Sequence, residues 1–214
     1  MNRILLSMTL ASALVLPPAL CQAQWSVGPH IVISAPTSDF ANVSEVGGGL
    51  GLKGIYQVSK FAHLSLRSDF SFISYGGTKF KSVTVNGGGP FPAQSRNESF
   101  RLIFGPQVSF GKRPIKFQLF SMGGFYFFRE NLTITDGFFV VQDSRENSSE
   151  LGWNFGGGIQ YDIGLGPWLD ISVEYNTIKN ISGPPVAGDE QAPRPDIDAN
   201  EITIKMGVIF FLGK

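Results

Sequence analysis

The sequence predicts an all-β protein, an eight-stranded antiparallel up-and-down transmembrane β-barrel. Three observations carry this. First, stretches of strand length recur in which apolar and polar residues alternate, the period of two expected of a strand whose faces meet different media. Second, short and long connections alternate between those stretches, as they do in membrane barrels. Third, the last stretch, 200–212, is itself amphipathic, with Ile202, Ile204, Met206, Val208, Phe210 and Leu212 on one face. A strand there must pair with something earlier, and pairing it with the first strand leaves no open edge.

Composition agrees. Gly (26) and Phe (19) are abundant and only 16% of residues are charged, a mix that suits an aromatic-rich β protein better than a helical one. Lys plus Arg and Asp plus Glu each number 17, so no basic footprint argues for nucleic acid. Residues 1–24 read as a cleaved secretory signal, with Arg3 before an apolar run to Leu16 and Cys21-Gln22-Ala23 as the small-residue cleavage site. Pro17 and Pro18 end that run short of the ~20 residues a spanning helix needs. The single cysteine would leave with the signal, and residues 25–214 are expected to form one barrel domain without thiol chemistry.

The first strand is expected over 25–35, with Trp25, Val27, Ile31 and Ile33 on the apolar face and Pro29 distorting one ladder bond. Turn residues at 36–39 lead to a second strand, 45–58, where Val46, Leu50, Leu52 and Tyr56 oppose Gly47, Gly49, Gly51 and Lys53. The third sets Leu64, Leu66, Phe70 and Phe72 against Ser65, Arg67, Asp69 and Ser71. After a long polar loop at 76–97, the fourth sets Phe100, Leu102, Phe104, Val108 and Phe110 against Arg101, Gly105, Gln107 and Ser109. The fifth carries Ile115, Phe117, Leu119, Phe125 and Phe127 against Lys116, Gln118, Met122 and Tyr126, and a second long loop follows at 131–149. In that loop, 138–141 could extend the hairpin outward. The sixth strand alternates most regularly, Leu151, Trp153, Phe155, Ile159, Tyr161 and Ile163 against Asn154, Gly156, Gly158, Gln160 and Asp162. The seventh sets Leu169, Ile171, Val173 and Tyr175 against Asp170, Ser172, Glu174 and Asn176, and a third long loop at 179–199 precedes the last strand.

Alternation alone leaves open which face points inward; a soluble ligand-binding barrel would turn the apolar face in. Volume decides. An eight-stranded bore is just wide enough for side chains to fill. The apolar face is bulky, whereas the polar face is rich in Gly and Ser. The large face is therefore expected toward lipid, with Trp25, Tyr56 and Tyr161 in one aromatic girdle and Tyr175 in the other.

The inward face then carries both signs, Lys53, Arg67, Arg101, Lys116 and Lys205 with Asp69, Asp162, Asp170, Glu174 and Glu201. Buried charges must pair. Counting up from the short turns predicts Lys116 with Asp162, Glu174 with Lys205, and Asp69 with Arg101, a network that plugs the bore. In the loops, Phe91, Phe138, Phe139 and Val140 are the candidate contacts for an extracellular partner.

Chemistry is thin. His63 and Ser65 share the inward face near a short turn, and this His-x-Ser resembles that of the lipid A deacylases. Leu66 stands where that family carries Asn, and no carboxylate is placed to orient His63. A lipid-modifying barrel enzyme is the alternative reading, and a narrow porin-like channel another; no catalytic, cofactor-binding or metal-ligating residue is expected. His30 is the only other histidine, and the acidic residues at 136–150 and 189–198 lack regular ligand spacing.

The leader at 1–24, the strand-turn stretch at 33–40, and the ending with Lys205, Gly207, Phe210 and Leu212 resemble the small bacterial outer-membrane β-barrel family, of the OmpX, OmpA-barrel and PorT-like kind. The resemblance implies a Gram-negative outer membrane, and the alternation of short and long connections puts both termini in the periplasm. The resemblance also implies insertion by the barrel-assembly machinery through the last strand, contact with outer-membrane lipid, a monomer, and a structural or adhesion-type role.

Overall fold

A computed structural model describes residues 24–42, 44–58, 63–85, 88–135, 140–164, 166–182 and 196–212. The expected signal, 1–24, lies outside these except for Gln24, which already belongs to the first strand. Nine strands follow in chain order: β1 (Gln24–Thr37), β2 (Gly47–Gln57), β3 (Leu64–Tyr75), β4 (Thr78–Val85), β5 (Gly88–Lys112), β6 (Ile115–Thr135), β7 (Val140–Asp162), β8 (Trp168–Ser182) and β9 (Asp196–Leu212). Eight of them close an antiparallel up-and-down barrel. The closing seam joins β1 to β9 from Trp25–Leu212 to Thr37–Asn200, and β3 pairs with β5.

The ninth strand corrects the expected loop at 76–97. There β4 folds back on the start of β5, from Thr78 opposite Ser95 to Val85 opposite Gly88. The segment's Phe80, Val83, Thr84 and Val85 favour a strand, a preference masked by the glycines and prolines that follow. The loop at 131–149 also shrinks. β6 and β7 stay paired as far as Thr135 and Val140, so the hairpin does extend outward. The third loop begins only after Ser182 and ends before Asp196.

The wall is consequently uneven. β5, β6 and β7 run for 25, 21 and 23 residues, while β2 and β3 have 11 and 12. A sheet of β4 to β7 rises from one side of the long-hairpin mouth. At the opposite mouth the turns are tight, and Gly111 and Gly166 take φ of +107° and +102°, a region that favours residues without a Cβ.

Facing follows volume. Trp153, Phe155 and Ile159 are 56, 53 and 45% exposed, whereas Asp170 and Glu174 keep only 2 and 1%. The apolar face is the outside, which overturns the soluble inward-facing alternative. Trp25 and Tyr56 make a tilted ring pair with centroids 4.8 Å apart near the short-turn rim. Val173 lies on the lipid face at mid-strand, between Gly157 and Ile204. Val173→Arg is expected to cost about 2–4 kcal/mol in a lipid bilayer, the penalty for a cation near the midplane. Urea unfolding in vesicles followed by tryptophan fluorescence checks this; an unchanged midpoint would place Val173 away from lipid.

Candidate functional site

Among the described residues, the bore gathers the buried charged groups. Alternation turns one residue in two inward, and on five strands, β2, β3, β5, β8 and β9, that set brings a charge to the centre. Four cations, Lys53, Arg67, Arg101 and Lys205, face four anions, Asp69, Asp170, Glu174 and Glu201, and all eight are buried. Equal numbers make this interior formally neutral, which is what a low-dielectric site demands of ions that cannot reach water.

The ions form three linked groups. At the centre Lys205 Nζ lies 2.8 Å from both Asp69 Oδ1 and Glu174 Oε2. Arg67 Nη2 reaches Glu174 Oε1 at 2.7 Å and Asp69 Oδ2 at 3.4 Å, and its guanidinium stacks 3.7 Å from the Phe120 ring centre. Asn154 donates to Glu174 (3.0 Å), and Ser71 donates to Asp69 (3.2 Å). His30 Nε2 is 3.6 Å from Asp69 Oδ1, and Gly51 and Gly207 leave the space it fills, since a Cβ at either would run into the imidazole or its backbone.

Toward the short turns Lys53 pairs with Asp170, whose other oxygen accepts from Gln118 (2.8 Å) and Gln160 (3.1 Å). Toward the long hairpins Arg101 Nη2 meets Glu201 Oε1 at 2.5 Å and donates to the Tyr75 hydroxyl at 2.8 Å. Glu201 also accepts from Ser34 (2.7 Å) and from Tyr75.

Of the three expected pairs, Glu174 with Lys205 is present. Asp69 with Arg101 is not the pairing formed. The register sets Arg101 opposite Ser71 and Asp69 opposite Ile103, so Arg101 sits one step nearer Glu201, and Lys205 and Arg67 take Asp69. Lys116 and Asp162 are likewise corrected. Both are only half-buried at the short-turn mouth, outside the central network. Asp162 pairs with Arg113 at 3.0 Å, and Lys116 Nζ lies 4.8 Å from the centre of the Trp168 ring. Parity placed these two on the inner face correctly, but parity carries no information about height.

An apolar cluster fills the bore between this network and the long-hairpin mouth, built from Val32, Ile73, Met122, Tyr126, Phe128 and Ile178 with the neighbouring rings. Its lid is Phe40, carried on a 3-10 turn at Ser38–Asn42 that enters with Ser38 at φ +53°. The Phe40 ring meets Tyr75 and Phe128 edge-on, with centroids 5.3 and 5.9 Å away. Alternation did not signal Phe40, because it comes from a turn.

A polar vestibule of about 110 Å³ opens at the short-turn end, lined by His63, Ser65, Gln107 and Lys116 among others. There His63 Nδ1 lies 3.0 Å from the Ser109 carbonyl, and Ser65 donates to the Gln107 carbonyl at 3.4 Å. The two side chains are thus each engaged with main chain.

Among the loop candidates, Phe91 is opposite Val83 in the β4–β5 hairpin and Val140 is opposite Thr135 at the end of the β6–β7 ladder. Phe138 and Phe139 lie outside the described residues.

A closed barrel with lipid-type exterior and ion-paired bore is the geometry of an outer-membrane protein, and the sequence carries the matching family signature. Residues 4–210 match the model of the outer membrane protein beta-barrel domain. The chain belongs to that family. Membership places it in the outer membrane. No curated protein matches it in sequence. Among solved structures, a major outer membrane protein from Thermus thermophilus aligns with 89% of this chain and all of its own, at 12% identity and a TM-score of 0.59. Ail, the attachment invasion locus protein of Yersinia pestis, aligns over 88% of this chain and 99% of its own, at 14% identity and a TM-score of 0.51. Ail in complex with the heparin analogue sucrose octasulfate aligns with a TM-score of 0.50. At these identities the likeness is one of fold.

Proposed function

We propose that this outer-membrane barrel is a non-enzymatic surface protein of the adhesion type, which holds the β4 to β7 sheet out from the cell while its bore stays shut. The observation that carries the reading is the unequal strand length. β5, β6 and β7 continue well past the ends of β2, β3 and β8, so hydrogen-bonded backbone projects where a channel or enzyme would need an open site. In this reading the short turns and both termini face the periplasm, β9 serves the insertion machinery, and the barrel is a monomer. Phe91, Phe138, Phe139 and Val140 are the first contact candidates.

The engagement of His63 and Ser65 with main chain weighs against a lipid-modifying enzyme, since a nucleophile and its base need each other. Because Ail has been seen with a heparin analogue, a sulfated polysaccharide is the first partner to test.

The test replaces residues 131–145, beyond the Glu130–Glu146 pair, with a two-residue Asn-Gly turn. Cells displaying the intact protein should attach to heparin-coated surfaces, and cells displaying the shortened barrel should not, with heat-modifiable migration on gels unchanged. Equal attachment by both would remove the adhesion role of this hairpin. In planar bilayers the intact barrel is expected to show no discrete conductance steps; regular porin-like steps would favour the channel reading instead.

A further inference from the structure

We infer that the outer wall at the long-hairpin rim holds a seat for one phosphate-bearing acyl lipid. Phe72, Phe100 and Phe127 stand in register on β3, β5 and β6, all pointing away from the bore. The Phe100 ring lies 6.1 Å from Phe127 and 4.6 Å from Phe70, so the rings form a continuous apolar strip. One outward-facing step further toward the hairpin tips the register reads Ser74, Glu98, Arg129 and Asn147 across β3, β5, β6 and β7. Between the two rows runs a groove of about 520 Å³, a volume typical of ligand sites, lined by the three phenylalanines together with Glu98, Arg129 and Asn147.

The two rows demand different chemistry of one occupant. The lower row asks for hydrocarbon, and the upper row offers guanidinium. Arg129 Nε donates to Asn147 Oδ1 at 3.2 Å, which orients its planar fork along the rim. Arg96, one step further along β5, is tied to Ser74 by Nη2 at 3.0 Å and Nε at 3.3 Å. Guanidinium groups match phosphate oxygens in shape as well as charge. Glu98 is the one carboxylate in the row; with Arg96 one step beyond it, two cations among the described residues stand against one anion and a head with a single phosphate is the fit. The groove lies on the membrane-facing wall of an outer-membrane barrel, where a diacyl lipid meets both rows at once and a soluble anion meets only the upper one. The seat is independent of the adhesion reading, because it uses the wall below the projecting hairpins.

The test reconstitutes the whole mature barrel in phosphatidylcholine vesicles with trace spin-labelled phosphatidic acid or spin-labelled diacylglycerol of the same chains. Phosphatidic acid is expected to be immobilised in excess over diacylglycerol. Arg129→Gln should weaken that preference about tenfold, the loss of one charge-assisted contact. Phe127→Ala should lower retention of both lipids, with gel heat-modifiability confirming that each variant is folded. Equal retention of the two lipids by the wild type would overturn the proposal. So would an unchanged preference in Arg129→Gln with Arg96→Gln, or displacement by water-soluble glycerol phosphate, which would leave only an anion site.

Discussion

Lys205→Met is expected to cost about 3–5 kcal/mol of folding stability, the range for removing one partner from a buried ion pair. Lys205 touches both Asp69 and Glu174, so its loss leaves two carboxylates sharing Arg67 in a bore that water does not enter freely. Methionine keeps the length of the side chain, which separates the charge effect from a cavity. Adding Glu174→Gln restores equal numbers of each sign, with Lys53, Arg67 and Arg101 against Asp69, Asp170 and Glu201. The double variant should therefore regain a large part of the loss. Reversible urea unfolding in vesicles measures both. A double variant no more stable than the single one would mean that local packing, not charge balance, sets the cost.

Phe40→Ala is expected to cost about 3–5 kcal/mol, as for other fully buried phenylalanines cut back to alanine. The residue is 1% exposed although it comes from a five-residue turn, and within the apolar cluster its ring meets Tyr75 on β3 and Phe128 on β6. Besides the lower unfolding midpoint, limited proteolysis should show faster cleavage between Thr37 and Ser44, since Phe40 is the buried anchor of that turn. An unchanged midpoint with unchanged cleavage would show that Ser44, held by Asn97 at 2.7 Å, fixes the turn by itself.

How much of this was readable from the chain depends on the kind of information each feature needs. Parity is local, so the strands that cross the membrane and the face each residue presents were legible. Trp153 outward and Glu174 inward follow from counting by twos. Height is not local. It depends on the stagger between neighbouring strands, so counting from the turns does not find that Arg101 meets Glu201 rather than Asp69, or that Asp162 meets Arg113 rather than Lys116. The hairpin strand β4 was hidden for another reason, because turn-forming glycines and prolines at 87–92 outweighed the β-branched residues just before them. Phe40 and the polar partners Gln118, Asn154 and Asn176 carry no charge, so a search for ions passes over them. Nothing local to His30 sets it beside Asp69; the reason is the pair of glycines, Gly51 and Gly207, that the register puts on either side of it.

The continuous ladder of β6 and β7, from Ile134 and Gln142 down to Ile115 and Tyr161, has a mechanical consequence. It ties the two strands into one unit, so a tug on the hairpin tip draws both along together and loads in shear the hydrogen bonds that join them to β5 and β8. Peeling, in which rungs fail one after another, would require a sideways force. A cell tethered by this tip under flow would thus be held by the combined resistance of the two flanking ladders, and the strain would pass into the barrel wall instead of collecting at a single joint.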